Sequence, residues 1–447
     1  MGETSERTDD GSGLPAGTAS VHPDRPGLVL TLVLLLAAAA CYAGIVAVRL
    51  GPPSGGDTVP LTSVTTALAH GDLRMAASAA SLPNPPGYPL LAAPFVAALP
   101  SVVGSPNWCT PSGRVHPGAT ARRGSGVGPT GVVECGPHGA DAGLPPWYRA
   151  QGLLGVASWL VLAVGALAVL RAARADTLAR QAGLLLFLAF LPAASSAIVQ
   201  LYHPQDVVSL GLSLAGLALA LKGRWLPAGI VFGVALLTKQ FAVLLLLPAL
   251  VAAPDRRARL WLGGAAIAVF AAGILPFLAA DARATLENLS GFSAGGAAAG
   301  QTVLTLAGVH GTVASAVARD APLVFALLVC AWAYRRPGLH ADRPDTLVAL
   351  ALVCTGSRLV FESVVFPYYL LAASVLVLLL DLVARRSPHW SLTWCAAAAF
   401  FVALHPGNRA VAAFGTLILA VSVVTFGLLE LLASDKSPVD ADSAVTG

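Results

Sequence analysis

Long apolar runs separated by short polar stretches set the pattern of this chain. Many of the runs are about 15–25 residues long, which is the length that an α-helix needs to cross the hydrocarbon core of a bilayer. The pattern predicts an all-α, polytopic integral membrane protein with about twelve transmembrane helices. The predicted spans are residues 28–50, 149–170, 181–201, 207–221, 227–238, 241–253, 260–279, 322–332, 346–361, 366–383, 390–404 and 410–432.

Basic residues cluster between these spans. Loops on the cytoplasmic side of a membrane carry an excess of Lys and Arg. Alternating the predicted spans places every cluster on one side, which we expect to be the cytoplasmic side, together with both termini. The clusters are Arg171/Arg174/Arg180, Lys222/Arg224, Arg256/Arg257/Arg259, Arg335/Arg336/Arg343 and Arg385/Arg386.

For every basic cluster to lie on one side, residues 227–253 must enter the membrane and return as a hairpin of two short helices. Thr238-Lys239-Gln240 would then lie at the outer apex of this hairpin. The alternative is one long tilted helix with Lys239 buried inside it. A lone lysine in the middle of a membrane is costly, and the hairpin is therefore favoured.

Composition agrees with a membrane protein, since 56% of the residues are hydrophobic and only 11% are charged, against roughly 25% charged in soluble domains. The net charge of +4 gives no reason to expect a nucleic-acid partner. The polar ends, residues 1–27 and 434–447, are predicted to be disordered cytoplasmic tails. Residues 28–433 then form one transmembrane domain, and the Ala-, Gly-, Leu- and Arg-rich composition suggests a bacterial plasma membrane.

The largest predicted outer loop covers residues 51–148. Two apolar stretches in it, residues 59–68 and 88–99, are too short to span and are predicted to lie along the membrane interface. Cys109 and Cys135 are the only cysteines outside the predicted spans. In an oxidising compartment they are expected to pair as a disulfide, with two free thiols as the alternative.

Ionisable residues at the outer ends of the spans are candidate functional residues, because charges in or near a membrane are costly. Each also has a purely structural interpretation: Asp57 as a solvated loop acid, Asp72 as a cap, Asp206 as a helix N-cap, Lys239 as a side chain reaching the headgroups, and Arg358 as the partner of Glu362 in a surface ion pair. The sequence contains no dense His/Asp/Cys cluster of the kind that binds metal, so neither a metal nor a cofactor is expected.

Three segments are similar to the GT-C superfamily of membrane glycosyltransferases, and within it to bacterial polyprenyl-phosphate-mannose-dependent mannosyltransferases. They are Asp57 with residues 67–72 and 85–91, residues 203–206 with residues 228–239, and residues 365–371. The resemblance implies inverting transfer of a sugar, with mannose favoured, from a polyprenyl phosphate to an extracytoplasmic glycan, glycolipid or protein. It implies Asp57 as general base, Lys239, Arg358 and His203 as donor-phosphate ligands, and Asp72 and Asp206 as acidic partners.

Three other interpretations remain at this point. A twelve-helix secondary transporter is the main one, although the sequence shows no repeated halves and its ionisable groups lie at one face instead of at the midplane. An inactive membrane scaffold is the second. A GT-C enzyme that uses a different lipid-linked sugar is the third.

Overall fold

The computed structural model describes residues 27–49, 58–79, 85–98, 146–200, 202–290, 302–309, 311–336, 338–362, 365–404 and 409–434. All regular structure within these ranges is helical, which confirms the predicted all-α class. The helices are α1 (Leu28–Arg49), α2 (Thr58–Ala69), α3 (Leu73–Ala79), α4 (Gly87–Ala98), α5 (Pro146–Ala172), α6 (Leu178–Phe190), α7 (Pro192–Ser195), a π-helix (Ser196–Gln200), α8 (Pro204–Leu221), α9 (Trp225–Thr238), a 3₁₀-helix (Gln240–Ala242), α10 (Val243–Ala252), α11 (Arg256–Ala280), α12 (Ala282–Ser290), α13 (Val303–Leu306), α14 (Gly311–Arg335), α15 (Pro344–Phe361), a 3₁₀-helix (Pro367–Tyr369), α16 (Leu370–Val383), α17 (His389–Leu404) and α18 (Arg409–Ser434).

Within the described ranges, 7 helices are long and apolar enough to cross a membrane, or 8 if the bent pair α6–α7 is counted as one span. Further apolar helices, among them α9, α10 and α16, have fewer than 18 residues. The total of about twelve spans therefore stays a prediction, as does the interfacial position of α2 and α4.

Two predicted spans differ from the helices observed. Residues 181–201 were expected to form one helix, but the chain bends by 46° between α6 and α7. Pro192 begins α7, and a proline disfavours helical geometry in the residue before it. The span predicted at residues 322–332 is only part of α14, which carries Pro322 inside it.

The basic clusters gather at one end of the helix bundle. Arg385 donates to the carbonyl of Arg174 at 3.3 Å, which joins the end of α16 to the end of α5. Arg259 donates to the Tyr334 hydroxyl at 3.2 Å, which joins the start of α11 to the end of α14. We call this the basic end, and its residues are Arg171, Arg174, Arg180, Lys222, Arg224, Arg256, Arg257, Arg259, Arg335, Arg336, Arg343, Arg385 and Arg386.

The predicted hairpin at residues 227–253 is confirmed. Lys239 interrupts the helix with an extended backbone (φ −159°, ψ 134°) between α9 and the following 3₁₀-helix. Trp225, at the start of α9, and residues 251–254, at the end of α10, line one cavity, so the chain returns to the end it left. A single straight helix would hold these ends about 40 Å apart, at roughly 1.5 Å per residue.

The centre of the bundle is formed by α8, α15 and α16, whose residues are largely buried. Helices α5 and α8 cross with their backbones in contact. A Cβ atom added at Gly211 would lie 2.6 Å from both the Leu162 nitrogen and the Val161 carbonyl oxygen. Glycine therefore allows the close approach that is common between membrane helices, and this approach sets the position of α8.

Candidate functional site

The site begins at the first turn of α8. His203 is the N-cap residue and Pro204 the first helical residue, so the N-cap interpretation of Asp206 is wrong. Asp206 lies inside the first turn, where the partial positive charge of a helix N-terminus favours a carboxylate. Its side chain is almost completely buried, at 4% exposure for the residue.

Two cations from distant parts of the chain meet this carboxylate. Lys239 Nζ lies 3.4 Å from Asp206 Oδ2, and Arg358 Nη1 lies 3.9 Å from Asp206 Oδ1. His203 Nδ1 lies 3.7 Å from Asp206 Oδ2. The structure thus brings together four of the residues that the sequence singled out separately.

Arg358 also pairs with Glu362, with Nε 2.9 Å from Oε2. The ion pair itself was predicted, but its surface location was wrong, because Glu362 is only 2% exposed. Glu362 follows the last residue of α15. Burial raises the pKa of the Glu362 carboxyl, and the Arg358 cation opposes that rise. We call His203, Asp206, Lys239, Arg358 and Glu362 the Asp206 cluster.

Aromatic rings hold two members of the Asp206 cluster in place. The His203 ring stacks on Tyr368, with ring centroids 4.2 Å apart. The Arg358 guanidinium lies 4.3 Å from the centre of the Tyr369 ring and 5.4 Å from that of Phe241. Tyr368 and Tyr369 were not predicted as site residues, although both lie in residues 365–371, one of the segments that carry the family resemblance.

The charges of the Asp206 cluster balance, with two carboxylates facing two fixed cations. Buried charges are tolerated when they are paired in this way. Asp206 and Glu362 therefore provide opposite charges for the lysine of the hairpin and for the arginine of a membrane helix, at one end of the bundle.

Among the described residues, Glu362 Oε1 and Gln205 Oε1 are buried acceptors at this site with no hydrogen-bond donor. Asp206 Oδ2 accepts no hydrogen bond of good geometry either, but it is ion-paired with Lys239. The amide nitrogen of Gln205 lies 3.1 Å from His203 Nδ1. Buried polar atoms are usually hydrogen-bonded, so unpartnered ones require an explanation. Hydroxyl groups of a bound ligand would supply the missing donors.

The described part of the first loop packs against this same end. A Cβ atom at Gly87 would lie 2.5 Å from the Leu237 carbonyl oxygen and 2.6 Å from the nitrogen of Thr238, the residue directly before Lys239. The hydroxyls of Tyr88 and Tyr202 are 3.3 Å apart and buried. Leu61 of α2 is buried in the same apolar cluster. Helices α2 and α4 are thus seated beside His203 and Lys239.

The remaining predicted site residues are not part of the Asp206 cluster. Asp72 is exposed, and its carboxylate accepts from the Met75 backbone N–H at 2.8 Å, at the start of α3. Asp57, Cys109 and Cys135 lie outside the described residues. Among the residues that are described, no group of three or more His, Cys, Asp or Glu side chains could hold a metal ion.

The family comparison covers most of this site. The model of glycosyltransferase family 87 matches residues 142–363, just under half of the chain. The match indicates a glycosyltransferase. All five residues of the Asp206 cluster lie within the matched range, and Tyr368 and Tyr369 lie just beyond it. No match is found among curated proteins. The match agrees with the resemblance to membrane glycosyltransferases of GT-C type.

Proposed function

We propose that this glycosyltransferase moves mannose from a polyprenyl phosphate to an extracytoplasmic acceptor, with inversion at the anomeric carbon. The observation that carries the proposal is the Asp206 cluster, in which Lys239 and Arg358 meet at one end of a membrane bundle. The acceptor would be a glycan, a glycolipid or a protein. The donor and the sugar both come from the family resemblance, and the two cations of the cluster are compatible with an anionic lipid-linked donor.

The two cations suit a lipid phosphate as leaving group. When the bond between the sugar and the phosphate breaks, the departing phosphate gains negative charge. Cations that are already fixed in place stabilise such a charge without reorganisation. Lys239 is held by Asp206, and Arg358 by Glu362 and Tyr369, so neither has to be ordered during the reaction. His203 would add a hydrogen bond to the phosphate.

The unpartnered acceptors suit a sugar. Glu362 Oε1 and Gln205 Oε1 are buried at the same site and have no hydrogen-bond donor among the described residues. Sugar hydroxyls would provide these donors. A site built to hydrogen-bond hydroxyls discriminates strongly against analogues that lack them, since its own buried groups are then unpaired.

Asp57 is the proposed general base. It would accept the proton of the acceptor hydroxyl while that oxygen bonds to the anomeric carbon and the phosphate departs with the bonding electrons. Helix α2 begins at Thr58, the residue after Asp57. Because Leu61 packs with Tyr202 in one apolar cluster, the chain that follows Asp57 is seated beside His203.

Transfer of radiolabelled mannose from polyprenyl-phosphate-mannose, in membranes that contain the full chain, tests this proposal. The wild type is expected to label an acceptor, and Asp57→Asn to lose the label while still inserting into the membrane. Asp72→Asn is the matched control, because Asp72 lies in the same loop, outside the Asp206 cluster, and caps α3.

Equal activity of Asp57→Asn and the wild type would refute Asp57 as base. If the protein transfers a different sugar from its polyprenyl phosphate and no mannose from the mannose donor, mannose is refuted as the transferred sugar. If the wild type transfers no sugar from any lipid-linked donor to a crude acceptor pool, the proposal as a whole fails.

A further inference from the structure

A cavity of about 520 Å³ opens at the basic end, far from the Asp206 cluster. It lies where α8, α14 and α10 end and where α9 and α11 begin, and residues 339–342 complete its wall. Its size is that of a small-molecule pocket. Its lining residues lie within the range that the family model matches, but the proposed transfer reaction gives the cavity no role.

One fixed cation lines this basic-end cavity. Arg259 donates to the Ala253 carbonyl at 3.0 Å and to the Tyr334 hydroxyl at 3.2 Å, and its guanidinium lies 4.6 Å from the centre of the Tyr334 ring. A guanidinium has five N–H donors in a rigid fork, so donors remain for a ligand. Within the part of the chain that is described, no carboxylate lies within ion-pairing distance of Arg259.

The surroundings of Arg259 favour an anion. Lys222 and Arg224 flank the lining residue Gly223, Arg256 begins the helix that carries Arg259, and Arg335 follows Tyr334. Nearby carboxylates are already engaged, because Asp255 accepts from the Ala258 N–H and Asp345 pairs with Arg343. Asp342 is the one carboxylate in the described lining. Lys and Arg residues outnumber the carboxylates in the stretches that form the cavity.

The rest of the wall is apolar. Trp225, Val251 and Leu339 line the cavity beside Arg259. A ligand that fills it would therefore carry an anionic group beside an apolar or uncharged part. Arginine binds phosphate oxygens in a bidentate geometry, and basic pockets between membrane helices bind lipid headgroups.

We propose that the basic-end cavity is a binding site for a phosphate group, with Arg259 as its principal ligand. The phosphate would come either from the headgroup of a membrane phospholipid or from a free phosphate compound. Bound phosphate would tie the start of α11 to the end of α14 and to the loop that follows it. The site is independent of the transfer chemistry proposed for the Asp206 cluster.

Native mass spectrometry of the purified full chain in detergent tests this site by counting bound ligands during titration. The probes are dioctanoyl phosphatidylglycerol, dioctanoylglycerol, which lacks the phosphate, and inorganic phosphate. The variants are Arg259→Gln and its matched control Arg257→Gln, which removes a cation of the same helix that does not line the cavity.

Saturable binding of the phospholipid is expected, weakened about tenfold or more by Arg259→Gln and little changed by Arg257→Gln. Dioctanoylglycerol is expected not to compete. If inorganic phosphate binds as tightly as the phospholipid, the site takes a free phosphate compound and the lipid source is overturned.

If Arg259→Gln and Arg257→Gln bind the phospholipid equally well, the proposed phosphate site is overturned. Tight binding of dioctanoylglycerol, which lacks the phosphate, would also overturn it. If Arg259→Gln does not fold, Arg259→Lys is tested in its place. This variant keeps the positive charge and loses the forked N–H donors of the guanidinium. Arg259→Lys is expected to bind the phospholipid more weakly than Arg257→Lys does. Equal affinities of the two variants for the phospholipid would overturn the role of Arg259.

Discussion

Gly87→Ala tests whether the first loop is seated on the Lys239 turn. The added Cβ would lie 2.4 Å from the Leu237 carbonyl carbon, 2.5 Å from its oxygen and 2.6 Å from the Thr238 nitrogen. All three atoms belong to the backbone and have no rotamer through which to move away. Normal contact begins near 3.4 Å, so α4 and the end of α9 must separate by about 1 Å.

This displacement acts on the residue directly before Lys239. We expect overpacking to destabilise the protein by about 1–3 kcal/mol. We also expect the rate of sugar transfer to fall by about 100-fold, since a 1 Å misplacement of a catalytic group has that order of effect. Thermal unfolding in detergent measures the first effect, and transfer of radiolabelled mannose in membranes measures the second.

Gly183→Ala is the matched control for this experiment. Gly183 lies within α6, and apart from the backbone of its own helix no atom of the described residues would lie within 4 Å of the new Cβ. If Gly87→Ala is as stable and as active as Gly183→Ala, α4 does not pack against α9 as described and the reasoning is refuted. If Gly87→Ala is less stable than Gly183→Ala but transfers sugar at the same rate, the packing of α4 against α9 is supported. Its role in positioning Lys239 is then rejected.

Further predictions concern the Asp206 cluster and the helix core. Asp206→Asn should lower transfer at least about tenfold, because it removes the charge that holds Lys239, whereas Asp72→Asn should keep its cap and its activity. Glu362→Gln should destabilise the protein by about 3 kcal/mol, because it removes the closest partner of the Arg358 cation. Gly211→Ala should lower the unfolding temperature far more than Gly44→Ala, since only the former Cβ meets another helix.

Each of these predictions has a contradicting result. Equal transfer by Asp206→Asn and Asp72→Asn would remove Asp206 from the site. A Glu362→Gln protein with unchanged thermal stability would show that the Arg358–Glu362 pair contributes nothing net. Matching unfolding temperatures for Gly211→Ala and Gly44→Ala would contradict the close crossing of α5 and α8.

The sequence alone predicted the features that depend on local composition. Apolar runs predicted the helical membrane class, and the basic clusters predicted which loops share one end of the bundle. The cost of a single lysine in an apolar segment predicted the break at Lys239. In each case the deciding property, hydrophobicity or charge, belongs to a short stretch of chain and needs no knowledge of its neighbours.

Only the tertiary structure decided which of the candidate residues act together. Asp206, Lys239 and Arg358 are distant in sequence, and their meeting depends on how α8, the α9–α10 hairpin and α15 pack. A shift of one residue in a helix turns a side chain by about 100°, so predicted helix ends cannot place such groups. The start of α8 shows this, because Pro204 begins the helix three residues before the predicted boundary and thereby puts Asp206 inside its first turn. The stacking of His203 on Tyr368 and the cavity beside Arg259 likewise arise from side chains that meet across the fold.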